Sequence, residues 1–77
     1  MRKKVLEFVV KQLVDKPELL NIIETTHDQK ETYEIHVDIQ DRGKVIGREG
    51  QTIKALRMLM HAIKPEGTDI FVIIAEK

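Results

Sequence analysis

Apolar and polar positions along the chain predict a helix at its start. Residues 2–14 place apolar side chains at three- and four-residue spacing, with charged side chains on another face, as in an amphipathic helix. Pro17 cannot continue a helix and biases the residue before it toward extended structure, so this helix should end by Asp15 or Lys16. The apolar positions are Val5, Leu6, Val9, Val10 and Leu13.

Three strands are predicted from the same kind of pattern. Residues 20–26 are rich in branched side chains, and residues 32–40 alternate between apolar and polar positions. The polar residues 27–31 suit a hairpin connection between them, although no Asn-Gly or Asp-Gly pair is present. Residues 69–75 form a continuous apolar run of strand length. Phe8 is interpreted as a core residue, and Tyr33 either as a residue at the edge of the core, which is preferred, or as a groove wall.

A second long helix is predicted from Gln51 or Thr52 to about Ile63, ending before Pro65 and Gly67. One apolar stripe on it does not account for all of its apolar residues. The surplus flank is either extra core or a contact for a second chain, with a slight preference for a homodimer. The stripe is Ile53, Leu56, Met60 and Ile63, and the surplus flank is Ala55, Met58, Leu59 and Ala62.

The order of elements is helix, strand, strand, short helix, glycine loop, helix, strand, which predicts a single α+β domain over residues 1–77. A chain of 77 residues has a thin core and little room for an enclosed active site. It has no cysteine, so neither a disulfide framework nor a thiolate zinc site is expected. The apolar stretches are too short or too interrupted for a signal peptide or a membrane span. We therefore expect a soluble, cytoplasmic protein with no membrane partner.

Charge is balanced overall but unevenly distributed. Thirteen basic and 13 acidic residues give a net charge of zero. Residues 1–16 and 41–57 each carry a net +3, whereas residues 17–40 carry −5. Such segregation permits a basic face that suits phosphate binding, although surface charges on a small protein also segregate by chance.

The clearest candidate for chemistry is the segment Gly47-Arg48-Glu49-Gly50, directly before the second long helix. Glycine allows sharp turns and a close approach of a phosphate, and a helix N-terminus favours negative charge. The alternative is a helix–helix turn that only requires glycine dihedral angles. The Walker and dinucleotide-binding patterns do not fit, because their residue types and glycine spacing are missing.

The wider run from Gly43 to Arg57 resembles the signature of KH domains, in which an apolar pair precedes Gly-x-x-Gly and an apolar helix. Nearly the whole chain resembles the small bacterial single-KH proteins of the KhpA type. The resemblance implies a type II KH-like α+β fold of order α-β-β-α-α-β. Three helices would pack on one face of a three-stranded mixed sheet.

The resemblance also implies a function, the binding of single-stranded RNA with low sequence specificity. The bases would lie in a groove bordered by the short helix, the start of the long helix and the strand through Tyr33 and Ile39. Glu49 is a departure, because its carboxylate would compete with a phosphate. The expected RNA-binding residues are Lys44, Ile46, Gly47, Arg48, Glu49, Gly50, Ile53, Lys54 and Arg57.

The expected role is that of a non-catalytic RNA-binding protein or RNA chaperone, without cofactor or metal. The three histidines are not spaced as metal ligands, and no nucleophile–base arrangement is apparent. Relatives of this type are described as dimerising and as working beside a larger Jag-like KH protein, so both partners are expected here. The alternative is a KH-like protein-interaction or dimerisation module with little RNA binding of its own.

Overall fold

The computed structural model describes residues 1–76, and these form three α-helices and three β-strands in the expected order. The helices are α1 (Arg2–Leu13), α2 (Arg42–Ile46) and α3 (Gln51–Ala62), and the strands are β1 (Asn21–His27), β2 (Lys30–His36) and β3 (Asp69–Ile74). Single turns of 3₁₀ helix cover Pro17–Leu19, Ile39–Asp41 and Arg48–Gly50. The α+β class and the α-β-β-α-α-β order are confirmed.

The three strands form one mixed sheet in the order β1-β2-β3. β1 and β2 are antiparallel, and β3 runs parallel to β2. The predicted hairpin is present, with a tighter turn than the polar segment 27–31 indicates, because His27 already pairs with Lys30. Asp28 adopts the left-handed conformation (φ 56°) that such a turn requires and that aspartate tolerates.

The core lies between the helices and one face of the sheet. Alternate residues of the strands, among them Ile22, Tyr33 and Val72, are buried against Leu6 of α1 and Met60 of α3. Tyr33 is fully buried, as the sequence predicts. On the opposite face of the sheet, the apolar side chains of Ile23, Phe71 and Ile73 are exposed.

The core assignment of Phe8 is wrong, because its side chain is 67% exposed. The buried residues of α1 are Leu6 and Val10, which are four positions apart and share one face. Phe8 lies two positions from each, about 200° around the helix, and therefore points to the opposite side.

The second predicted strand is also too long, since β2 ends at His36 and Ile39 lies in a 3₁₀ turn. The Asp38 carboxylate accepts a hydrogen bond of 3.0 Å from the Gln40 amide. This local bond favours a turn over a continued strand, which the apolar alternation alone does not reveal.

The surplus flank of α3 is largely outside the core. Met58 is 74% exposed and Ala55 and Ala62 are exposed, whereas Leu59 is half-buried. Extra core is therefore the wrong interpretation for most of this flank. The stripe through Ile53 and Met60 is buried as predicted, except for Ile63, which follows the last helical residue and is partly exposed.

A buried carboxylate joins α1 to β2. Glu31 receives a hydrogen bond of 2.9 Å from the Arg2 Nε and forms an ion pair through the second nitrogen of that guanidinium. The Tyr33 hydroxyl donates to the same carboxylate at 2.8 Å. The hydrogen bond from Arg2 outweighs burial and holds the pKa of Glu31 below its usual value. The start of α1 is thereby fixed to the central strand.

A second buried carboxylate, Asp41, fixes the start of α2. Its two oxygens accept hydrogen bonds from the backbone amides of Asp15 at 3.1 Å and Lys16 at 2.9 Å. Burial alone would raise the pKa of Asp41, but these backbone hydrogen bonds and the nearby Lys44 ammonium lower it. The segment after α1 is thus attached to the helix that leads into the glycine loop. Within residues 1–76, every helix is too short or too polar to cross a bilayer.

Candidate nucleic-acid interface

The glycine loop, residues 47–50, joins α2 to α3 through a run of unusual backbone angles. Gly47 has φ 79° and ψ 169°, which ends α2, and Glu49 (φ 55°) and Gly50 (φ 74°) are both left-handed. The Gly47 amide donates to the Gly43 carbonyl at 2.8 Å, and the Gly50 amide donates to the Gly47 carbonyl at 3.1 Å. These bonds hold the loop in one compact turn.

The two glycines are required for different reasons. A Cβ at Gly47 would lie 2.2 Å from the Thr52 Oγ1 and 2.7 Å from its backbone nitrogen, so the site has no room for a side chain. A Cβ at Gly50 would meet only the Ile53 Cγ2, at 4.0 Å. Gly50 is therefore favoured by its positive φ alone, whereas Gly47 also permits a close approach of the loop to α3.

The loop leads directly into the N-terminus of α3. Gly50 is its N-cap residue, and no side chain among the described residues hydrogen-bonds to the amides there. Such amides carry partial positive charge and suit an oxyanion. The side chains of Arg48 and Glu49 are both exposed beside them, so a cation and an anion flank the same helix end.

Lys44 is oriented away from this helix end. Its ammonium lies 2.8 Å from the Asp15 carboxylate and 3.6 Å from that of Asp41. The hydrogen bond to Asp15 raises the pKa of Lys44. Lys44 therefore neutralises two carboxylates in the segment between α1 and α2, which weakens the expectation that it contacts a phosphate.

Lys54 and Arg57 both lie exposed on α3, one helical turn apart. The Arg57 Nε donates a hydrogen bond of 3.1 Å to the Val72 carbonyl of β3. This bond fixes the guanidinium against the sheet edge that β3 forms. A cleft of about 330 Å³ lies there, with Arg57 and His61 on the helix side and residues 69–73 on the strand side.

The predicted groove wall is present only in part. The strand through Tyr33 is β2, which is flanked by a strand on each side, so only its end at His36 and the residues up to Ile39 border a cleft, together with Arg42 of α2. The cleft beside α3 is instead lined by β3, because the parallel pairing of β3 with β2 places it at the edge. Sequence reasoning missed Phe71 and His61 at this cleft. A continuous apolar run resembles an interior strand, so no signal marked β3 as an edge.

The apolar candidates differ in accessibility. Ile46 is 37% exposed at the end of α2 and available for contact, whereas Ile53 is only 7% exposed and belongs mainly to the core. Ile39 is exposed, but it precedes α2 in the chain, whereas the loop follows α2. The remaining candidates follow one another from the end of α2 through the loop to α3, namely Ile46, the loop, Lys54 and Arg57. Lys44 is instead paired with Asp15 and Asp41.

Comparison with known proteins gives a consistent result. Residues 3–74 match the family model described as KhpA/KhpB, KH domain. The chain is similar to the RNA-binding protein KhpA of Thermotoga maritima, with 37% identity over 68 residues, or 88% of this chain and 91% of that protein. The same protein of Chlamydia trachomatis is 44% identical over 79% of this chain and 78% of its own length. That of Streptococcus pneumoniae serotype 4 is 39% identical over 90% of this chain and 87% of its own. No solved structure matched the chain.

Proposed function

The chain belongs to the KhpA/KhpB family of KH domains, and from this membership we propose that it binds single-stranded RNA through the glycine loop without catalysing a reaction. Its relatives from Thermotoga and Chlamydia are named RNA-binding proteins. Type II KH topology places a Gly-x-x-Gly loop between two helices, where KH domains clamp the backbone of about four nucleotides. RNA binding is thus the function that the sequence, the fold and the relatives support together.

The observation that carries the proposal is the conformation of the loop. Gly47 and Gly50 have positive φ; the Thr52 side chain lies against Gly47, whereas the space beside Gly50 is open. The loop ends at the uncapped N-terminus of α3. The amides of Gly50 and Gln51 are used within the loop, so a phosphate approaching this point would meet the following amides of the first turn of α3.

The proposed phosphate contacts are Arg48, Lys54 and Arg57, whereas Lys44 is paired with Asp15 and Asp41. Glu49 is exposed within the same loop and opposes an incoming phosphate. We expect modest affinity for this reason. Because so few bases are in reach and the loop binds backbone, we also expect low sequence specificity.

The test is a titration of labelled single-stranded RNA followed by fluorescence anisotropy at two salt concentrations. The Arg48→Asp, Glu49→Asp double variant should bind at least about tenfold more weakly, since it places two carboxylates in the loop. Affinity of the wild type should fall with salt, with a logarithmic slope of about −0.7 for each phosphate contacted on a single strand.

A matched control is Lys4→Asp combined with Glu7→Asp on α1, which makes the same change in net charge away from the loop. Its affinity should stay within about threefold of the wild type. Equal losses in both double variants would mean that overall charge, not the loop, holds the RNA. Circular dichroism should show that both variants remain folded.

We further propose that residues 1–77 act as a single KH domain in the cytoplasm, in the manner of an RNA chaperone. Two protein partners are proposed with it, a second copy of the chain through the exposed flank of α3 and a larger Jag-like KH protein. The exposure of Met58 supports a contact on that flank. Co-purification of a tagged chain from its native cytoplasm, with and without ribonuclease, tests whether such partners require RNA.

The second candidate function is a protein-interaction module with little RNA binding of its own. Glu49 in the loop and the engagement of Lys44 with Asp15 favour it, since both reduce the positive charge available to RNA. It predicts negligible RNA affinity at low salt together with a stable dimer or partner complex. The titration described above separates the two candidates.

A further inference from the structure

A second cleft, which we call the strand-end cleft, lies where β2 has ended and α2 begins. It has a volume of about 350 Å³ and is lined by residues that include Leu19, His36, Ile39, Arg42 and Ala75. This cleft is separate from the cleft between α3 and β3, with which it shares no lining residue. Its volume lies within the range of small-ligand pockets and suits a group of about the size of one nucleotide.

Two side chains that line this cleft each have one polar atom without a hydrogen-bond partner. The Nε of Arg42 and the Nε2 of His36 are both buried and unpaired among residues 1–76. The Arg42 guanidinium is held at its other end, with Nη2 3.8 Å from the Glu76 carboxylate. A buried donor left unpaired costs about 1–3 kcal/mol. The Nε itself has almost no accessible surface, but the Arg42 side chain is 27% exposed, so a rotation of the guanidinium toward the cleft would let an acceptor pair with Nε and remove this cost.

The surroundings exclude a phosphate as the preferred acceptor. The His36 Nε2 lies 3.2 Å from a Glu34 oxygen without hydrogen-bond geometry, and Glu76 lies beside Arg42. A phosphate would be repelled by these carboxylates and by Asp38, which also lines the cleft and is only partly neutralised by Lys16 at 3.9 Å. An uncharged group with several acceptors is favoured. The exposed side chains of Leu19 and Ile39 add apolar surface on which a flat ring can pack.

The strand-end cleft is connected to the glycine loop by α2. Arg42 is the first residue of this helix and Ile46 the last, so Arg42 and the start of the loop are about 7 Å apart along the axis. A strand clamped at the loop is therefore within about one nucleotide of the cleft. An unstacked base is the flat, uncharged and acceptor-rich group that such a strand brings.

We propose that the strand-end cleft binds one base of the RNA strand that the glycine loop holds, and that it prefers guanine. The O6 and N7 atoms of guanine both accept, and the arginine fork donates two parallel hydrogen bonds to them. Leu19 and Ile39 pack against the ring. This inference rests on the RNA binding proposed above and adds to it a specificity-determining residue, Arg42.

The test uses an octauridine oligonucleotide and a set in which a single guanosine occupies each position in turn. For the wild-type protein, one placement should raise affinity about five- to tenfold over octauridine. Arg42→Lys keeps the positive charge but lacks Nε, and it should lose this preference while octauridine binding stays within about twofold. Lys11→Gln on α1 is the control for charge and should retain the preference.

Two further measurements distinguish the loss of a base site from a loss of folding in the Arg42 variant. Ile39→Ser changes an exposed side chain and should also weaken the preference without altering thermal stability. The side-chain Nε–H resonance of Arg42 should shift on addition of the guanosine oligonucleotide and not on addition of octauridine. A structural role for Arg42 alone would not produce this difference.

The outcomes separate the two proposals. If octauridine binds but no guanosine placement helps, or if Arg42→Lys keeps the preference, the strand-end cleft is not a base site, while RNA binding at the loop stands. If the wild type binds none of the oligonucleotides at low salt, RNA binding itself fails and this inference fails with it.

Discussion

Gly47 and Gly50 occupy equivalent places in the sequence motif but not in the structure. Both have positive φ, which costs an L residue about 1–2 kcal/mol. Only Gly47 lacks room for a methyl group, because the Thr52 side chain and amide are in contact with the space that a Cβ would fill. The loop is therefore most sensitive at its first glycine.

We predict that Gly47→Ala lowers the free energy of unfolding by about 2–3 kcal/mol, since strain and steric overlap add. Gly50→Ala should lower it by about 1 kcal/mol, because only the positive φ disfavours alanine at this position. Urea denaturation of the two variants measures the difference. Equal losses would contradict the geometry around Thr52. RNA titration should show the larger loss of affinity for Gly47→Ala, because its loop has to move.

The sequence predicts the position and backbone conformation of the loop well, but it predicts the contacts of the surrounding cations poorly. The glycine spacing is a local property, so Gly47 and Gly50 were identified from sequence together with their need for unusual dihedral angles. Lys44 was expected beside the loop, yet Asp15 receives its ammonium. That ion pair joins residues 29 positions apart, and nothing in the local pattern encodes it.

For the helices and strands too, local features could be predicted from the sequence and long-range pairing could not. The periodic patterns predicted α1, α3 and the hairpin to within a few residues, because amphipathic spacing is a local signal. They did not predict which strand lies at the edge. β3 is at the edge because it pairs with β2 alone, which depends on the chain crossing back over α2 and α3. The cleft beside α3 is therefore lined by β3 and not by the predicted strand.

Arg57 illustrates how an element can use a charged residue for two purposes. Its Nε donates a hydrogen bond to the Val72 carbonyl on the edge strand, while the residue stays exposed on α3. The hydrogen bond fastens α3 to β3 and satisfies one backbone group of an apolar edge. An unpaired apolar edge is an aggregation risk, and this contact partly covers it.

We predict opposite effects for two substitutions on α3. Arg57→Lys retains the charge but loses Nε, so it should lower the free energy of unfolding by about 0.5–1.5 kcal/mol with little change in RNA affinity. Lys54→Gln removes one exposed cation, so it should weaken RNA binding and reduce the salt slope by about 0.7 while leaving stability within about 0.5 kcal/mol.

Urea denaturation and anisotropy titration of the same two preparations check this prediction. If Lys54→Gln leaves the salt slope unchanged, Lys54 does not contact a phosphate. If Arg57→Lys is as stable as the wild type, the bond to Val72 contributes nothing measurable.

At the scale of the whole molecule, acid stability depends on two buried carboxylates. The folded state holds the pKa of Asp41 below its ordinary 3.8 and that of Glu31 below its ordinary 4.5. At acidic pH the folded protein therefore binds fewer protons than the unfolded chain. The stability that these groups contribute is fully present above their ordinary pKa values and is lost as the pH falls through the lowered ones.

We predict that the wild type loses stability steeply below about pH 4 and that Asp41→Asn shows a shallower loss. The variant should be less stable than the wild type at neutral pH, because asparagine has only one oxygen for the amides of Asp15 and Lys16. The two curves should converge as the pH falls through the lowered pKa of Asp41. Urea midpoints across this range are the measurement, and parallel curves would show that Asp41 is not responsible.

Two exposed apolar surfaces are available for association of whole molecules. One is the flank of α3 around Met58, which the sequence indicated, and the other is the open face of the sheet around Phe71. The second was not predicted, because a continuous apolar run gives no indication that half of its side chains face solvent. The two surfaces lie on opposite layers of the domain.

We predict that Met58→Asp converts a dimer into a monomer and that Phe71→Asp does not, as the proposed contact through α3 requires. Sedimentation velocity over a range of concentrations measures this. Dissociation by Phe71→Asp alone would move the dimer contact to the sheet. Both substitutions are at exposed positions, so neither should prevent folding.

The parallel pairing of β3 with β2 also has a kinetic consequence. Each residue of β3 pairs with a residue 39 positions earlier, so the sheet closes only after α2, the loop and α3 have been brought together. Closing so long a segment is entropically slow compared with forming the hairpin. We therefore expect the glycine loop to take up its final geometry late, in the same step that completes the core, so that nascent chains lacking β3 cannot yet hold RNA.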